Sequence, residues 1–144
     1  VRKKMVSFML AFMLIFTSGV AVAQANTNTL VSGDGIVVPY YDYISFVGAT
    51  ISIDSGGRST STGYVFYTDN YDSMLTVELQ RSDGTGWSTV KSWSDSFSGS
   101  GYKLIEEDYY VFSGYTYRVV TTAAIKSGNV ILEIASSTSS SVEY

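Results

Sequence analysis

Two residue types are missing from this 144-residue chain: cysteine and histidine. Without cysteine there is no disulfide, no thiolate nucleophile and no thiolate metal site. Without histidine the commonest general base is gone, and with it Ser–His activation and imidazole zinc ligation. The sequence also carries no glycine loop of the phosphate-cradling type between a strand and a helix. An enzyme made from the remaining residues would rest on a carboxylate pair or a Ser–Lys dyad.

Long apolar runs are nearly absent too. The one unbroken run, Phe8 to Phe16, is nine residues long, well short of the ~20 needed to span a bilayer. Arg2, Lys3 and Lys4 precede it, and Thr17-Ser18-Gly19 and a string of small residues follow. This is the layout of a secretory signal peptide, a helix expected over residues 1–25. Cleavage fits after Ala23 or after Ala25, with the second favoured, and the protein is expected to be secreted.

Positive charge is scarce beyond that segment. Residues 26–144 hold six basic and 13 acidic side chains, a net charge of −7. Such a domain repels phosphate backbones and anionic bilayers, so nucleic acid is excluded as a partner. The absence of Cys removes lipidation at the signal junction. The Ser-rich stretch 136–144 holds no second apolar run, so no membrane anchor is expected after cleavage.

What is present is period-two alternation. Residues 26–39 are polar at first and read as a flexible leader, with an edge strand at Ile36 to Pro39 limited by the lone proline. Ala49, Ile51 and Ile53 then alternate with Thr50, Ser52 and Asp54. Leu75, Val77 and Leu79 alternate with Thr76, Glu78 and Gln80. Tyr115, Tyr117, Val119, Thr121, Ala123 and Ile125 form one face of a long strand, and Val130, Leu132 and Ile134 one face of the last. Gly-, Asp- and Asn-containing turns separate these runs: Ser55-Gly56-Gly57, Asp69-Asn70, Ser82 to Gly86, Ser98 to Gly101, Ser113-Gly114 and Ser127 to Asn129. No helical period follows residue 25. The pattern predicts an all-β fold, a single antiparallel β-sandwich of about seven strands over residues 40–136 with a polar tail at 137–144. A small β-barrel is the alternative.

The stretch Val111-Phe112-Ser113-Gly114-Tyr115-Thr116-Tyr117-Arg118-Val119 resembles the start of the sixth strand in fibronectin type III and Ig-like domains. That resemblance implies a tyrosine corner at Tyr117, its hydroxyl reaching backbone a few residues upstream. A wider likeness joins Tyr43-Ile44-Ser45, Ile51 to Gly57, Leu79-Gln80-Arg81-Ser82, Trp87 to Ser94 and Tyr109-Tyr110-Val111. Over this span the chain resembles a family of small secreted proteins of unknown function from Gram-positive bacteria. It implies export and one compact domain, and carries no functional residue.

Three groups of residues are candidates for chemistry. Glu106-Glu107-Asp108 is the densest acidic cluster; Glu106 and Asp108 share a strand face, as a carboxylate pair requires, but a solvated strand end explains them more simply. Asp69, Asn70 and Asp72 offer oxygen ligands without EF-hand spacing, and turn chemistry accounts for them, so no metal or cofactor is expected. Trp87, Lys91 and Trp93 have the same parity, which places both indoles on one face about 20 Å apart if the strand is unbulged. Exposed flat rings stack on sugars or anchor protein partners; the competing role is core packing. The expectation is a non-catalytic extracellular module binding a glycan or protein surface through Tyr and Trp. A self-assembling structural protein is the second reading and a small carboxylate hydrolase the third.

Overall fold

The computed structural model describes residues 28–31 and 37–144. The signal peptide expected at 1–25 lies outside the described residues. The described chain is all-β and antiparallel throughout: β1 (Asn28–Val31), β2 (Val37–Tyr40), β3 (Phe46–Ile53), β4 (Arg58–Tyr67), β5 (Asp72–Ser82), β6 (Trp87–Ser98), β7 (Gly101–Tyr110), β8 (Thr116–Ser127), β9 (Val130–Thr138) and β10 (Val142–Glu143). None of it forms a helix long and apolar enough to cross a membrane.

Seven strands, β3 to β9, make a sandwich. One sheet has the order β3–β4–β7. The other has the order β6–β5–β8, with β9 and then β10 pairing along the free side of β8. Consecutive strands leave one sheet for the other at the β4–β5, β6–β7 and β7–β8 links, so the core fills from both inner faces. The alternation legible in the sequence supplies that core. Leu75, Val77 and Leu79 of β5 and Tyr117, Val119, Thr121, Ala123 and Ile125 of β8 are buried, facing Val65 and Tyr67 of β4. Ala49, Ile51 and Ile53 of β3 close over them half-buried.

Packing is tightest where the sequence puts its smallest inward residues. A Cβ at Gly63 would collide with Val77 and Thr121 of the opposite sheet. Glycine is therefore needed here for its lack of a side chain. Beside it, Ser61 Oγ and Thr121 Oγ1 are fully buried and make no hydrogen bond. At the β3–β4 turn the requirement is conformational: Gly57 has φ +81°, and its carbonyl accepts from Val111 N–H at 2.8 Å.

Two strands depart from simple alternation. The pairing of β5 with β6 shifts between Leu79 and Gln80, so that Val90 has no partner opposite it. The pairing of β8 with β9 shifts between Ile125 and Lys126, leaving Leu132 unpaired. Each is a β-bulge, and each reverses the parity of the strand beyond it. In β9 the expected apolar face of Val130, Leu132 and Ile134 breaks at this point: Val130 is exposed, while Ala135 is buried and Glu133 turns inward opposite Ile125.

Both terminal stretches of the described chain form strands where the sequence suggests none or only a short edge strand. Part of the leader, residues 28–31 and 37–40, forms the antiparallel pair β1–β2. Residues 137–144 are no loose tail. They complete β9, form β10, and bond along β8: Ser139 N–H donates to Val119 O, Val119 N–H to Ser139 Oγ, and Tyr144 N–H to Tyr115 O. Their polar composition is that of a solvated edge strand rather than of an unpaired chain.

Candidate functional site

The two tryptophans do not share a face. Trp93 pairs with the buried Val77, so it points inward, half-buried against the core. Beyond the bulge at Val90 the parity changes, and Trp87 pairs with Ser82 on the outer face. Lys91, on the core side of the bulge opposite Leu79, is exposed at the sheet edge and is not part of a Trp–Lys–Trp row. The expected platform of Trp87, Lys91 and Trp93 is thus divided by one extra residue in β6. Trp87 is 39% exposed, and Arg118 covers its ring at 4.1 Å from the centroid. Trp93 instead lines an open hollow between the edge strands β6 and β7, together with Asp95, Leu104 and Glu106.

The larger aromatic group lies on the other sheet, at residues the tryptophan argument passed over. Phe46, Phe66 and Tyr102 are direct cross-strand partners on β3, β4 and β7. Gly48, Tyr64 and Leu104 form the next row. The even-numbered residues of these strands face away from the core, so the rings stand on the solvent side. Phe46 is 45% and Tyr102 54% exposed. The Tyr64 ring lies across Gly48, where a Cβ would overlap it; glycine makes the space that the aromatic fills. Phe46 stacks on Phe66 at 5.4 Å and 20°, Tyr64 stacks on Tyr102 at 5.7 Å and 27°, and Phe46 meets Tyr64 edge-on at 73°. Phe46 and Phe66 turn one face to each other, as do Tyr64 and Tyr102, and the cluster stays open to solvent. Loss of hydration within the cluster, helped by the neighbouring Tyr64, raises the Tyr102 hydroxyl above its ordinary pKa. The signal was available as the parity of Phe46, Tyr64, Phe66 and Tyr102, but only pairing brings three strands into one patch.

The same face becomes polar toward its other end. Thr62 Oγ1 donates to Glu106 at 3.2 Å and Thr60 Oγ1 to Asp108 at 2.7 Å. Arg58 lies 3.4 Å from Asp54 and 3.7 Å from Asp108. Glu106 and Asp108 therefore do share a face, as exposed acceptors for cross-strand threonines. Asp54 sits in the β3–β4 turn, where the Arg58 and Gly56 N–H groups bond its carboxylate and hold its pKa below the usual value. Among the described residues no three acidic side chains converge as a metal site would need, Asp69 and Asp72 included.

The outer face of the larger sheet has another chemistry. Ser94, Thr76, Thr122 and Ser136 form one row across β6, β5, β8 and β9. Thr76 bonds Ser94 at 2.8 Å, and Thr122 bonds Ser136 at 3.0 Å. One sheet of the sandwich thus presents aromatic rings and the other presents hydroxyls.

Tyr117 is buried at the start of β8, and its hydroxyl donates to Phe112 O, five residues upstream, at 2.7 Å. Burial pushes its pKa up, opposed in part by the positive charge of Arg81.

No protein-family model matches the chain, and neither does any curated protein sequence. Among solved structures, the chain is similar to R. palustris CsgH, with 13% identity and a TM-score of 0.36 over 65% of this chain and 90% of that one. It is also similar to the CARDB domain of the PF1109 protein of Pyrococcus furiosus, solved in complex with di-metal ions, with 14% identity and a TM-score of 0.42 over 74% of this chain and 92% of that one.

Proposed function

We propose that this chain is a secreted, non-catalytic β-sandwich module of the fibronectin type III kind, one of the small exported Gram-positive proteins it resembles, and that it binds a protein surface through the outer face of β3–β4–β7. The observation carrying the reading is the exposed aromatic cluster of Phe46, Tyr64, Phe66 and Tyr102. Aromatic anchors surrounded by polar residues are what protein interfaces use as hot spots. A pyranose stacks on a free, flat ring face. Here each ring already stacks one face on a neighbour and the cluster is mixed with Leu104, which favours a protein partner over a glycan at this patch. The three-plus-four strand order and the Tyr117–Phe112 bond support the fibronectin type III comparison. Absence of His and Cys, with Glu106 and Asp108 exposed and bonded to threonines, supports a binding role over hydrolysis.

Self-assembly through strand edges is less well supported. The edge strand β7 carries Glu106, Glu107 and Asp108, and the edge strand β6 is bulged at Val90. Charges and bulges are devices that discourage edge pairing.

The test compares the protein with Phe46→Ser and Tyr102→Ser variants against extracellular protein fractions and a glycan array. Capture of a defined protein by the parent and its loss in both variants is expected. Glycan binding that disappears in the same variants would replace the protein reading. Concentration-dependent mass in light scattering, abolished by Phe46→Ser, would make a second copy the partner.

A further inference from the structure

The end of the larger sheet holds a separate constellation. Arg81 of β5 lies over the Tyr115 ring, 4.4 Å from its centroid. Arg118 of β8 lies over the Trp87 ring and donates from Nε to Gln80 Oε1 at 2.9 Å. Cation–π contact fixes both guanidinium groups without neutralising them. Both ion pairs found among the described residues belong to Arg58, so neither Arg81 nor Arg118 has one there. The nearby Asp83 is engaged locally: its Oδ1 accepts from the Thr85 N–H at 3.1 Å and the Thr85 hydroxyl at 2.7 Å. A hollow of about 330 Å³ opens among Arg81, Asp83, Thr85, Trp87, Ser88 and Tyr115.

This hollow combines an unpaired guanidinium, two aromatic walls, two hydroxyls and a carboxylate in a domain that is acidic elsewhere. We propose that it binds a carboxylate-bearing sugar, a single uronic acid residue. The planar fork of Arg81 matches a carboxylate with two parallel N–H bonds. The Trp87 and Tyr115 rings, each capped on one face by an arginine, line the hollow and give apolar contact to the C–H groups of a pyranose at their remaining surface. The Thr85 and Ser88 hydroxyls, whose hydrogens go to Asp83 and to Arg81 O, accept from ring hydroxyls, as does Asp83. The volume lies at the lower end of small-ligand sites, about 300–1,000 Å³, which suits one sugar ring and not a long polyanion. The net charge of −7 on residues 26–144 opposes polyanions as well. The site lies on the sheet opposite the aromatic cluster, so it stands or falls apart from the protein-binding reading.

The test is a titration of the protein followed by ¹H–¹⁵N NMR, reading the Trp87 indole N–H and the Arg81 Nε–H. The probes are glucuronate, glucose, acetate and inorganic phosphate. Glucuronate is expected to shift both signals saturably, with each other probe weaker by about tenfold or more. Arg81→Gln is expected to weaken glucuronate by about ten- to a hundredfold, the range for losing a charge-assisted hydrogen bond. Trp87→Ala, at an exposed edge position, should weaken it too while leaving the Trp93 indole signal in place. Glucose binding as well as glucuronate would overturn the role of the carboxylate. Acetate or phosphate binding equally well would overturn the role of the ring. No shift with glucuronate, or full affinity in Arg81→Gln, would remove the site altogether.

Discussion

The inward turn of Glu133 gives the sharpest test of how this sandwich is closed. Its carboxylate accepts three backbone hydrogen bonds: Asp42 N–H to Oε1 at 2.8 Å, Tyr43 N–H to Oε2 at 2.9 Å and Ile44 N–H to Oε2 at 2.8 Å. These tie the segment leading into β3 to β9, about ninety residues later, and they seat Ile44, which is 3% exposed. Removing the side chain leaves three N–H groups without a partner. A hydrogen bond to a charged group contributes about 1.5–3 kcal/mol. The three share one half-buried carboxylate and water can reach part of the segment, so they do not add in full. Glu133→Ala is therefore expected to cost about 2–3 kcal/mol, or roughly 8–12 °C in melting temperature for a domain near 100 residues. Glu133→Gln keeps one carbonyl oxygen and turns an amide donor toward the remaining N–H, so about half that loss is expected. Thermal and denaturant unfolding measure both. Hydrogen exchange provides the local readout: the Tyr43 and Ile44 amides should lose protection in Glu133→Ala. A melting shift below about 1 °C, or unchanged protection at those amides, would refute the clasp.

The other predictions concern the core and the patch. Tyr117→Phe should cost about 1 kcal/mol by removing the bond to Phe112 O, measured by denaturant unfolding. Because folding raises the pKa of Tyr117, its contribution is full below the unfolded tyrosine pKa and is lost as pH rises through the folded value; the variant should show a flatter alkaline limb of stability against pH. Thr121→Val replaces a buried hydroxyl that bonds to nothing with a methyl of like shape, so stability should rise by about 1 kcal/mol; a loss would mean that the hydroxyl has a partner after all. Gly63→Ala should cost about 1–3 kcal/mol through overpacking against Val77 and Thr121, with unfolding again the measure. Gly48→Ala should leave the fold intact and push the Tyr64 ring aside, visible as altered Tyr102 and Phe46 ring shifts in NMR and as weakened partner binding.

The sequence by itself determined the sandwich class and most of its core. β5 and most of β8 alternate, and alternation is a local property: Leu75, Val77 and Leu79, or Tyr117 to Ile125, declare their inward face whatever their neighbours do. The role of Tyr117 was implied by the resemblance carried by Val111 to Val119, a local stretch that already contains both ends of its bond to Phe112 O. Tertiary structure decided what depends on register. One unpaired residue, Val90, separates Trp87 from Trp93, and another, Leu132, turns Glu133 inward; a bulge exists only relative to a partner strand, so neither strand announces its own. The pairing of β8 with residues beyond 136 likewise made a structured edge from a polar stretch. The aromatic cluster and the arginine-lined hollow are products of assembly in the same sense. Phe46, Phe66 and Tyr102 stand 20 and 36 positions apart in the chain and become neighbours when three strands pair, while Arg81, Trp87 and Tyr115 meet where β5, β6 and β8 end together.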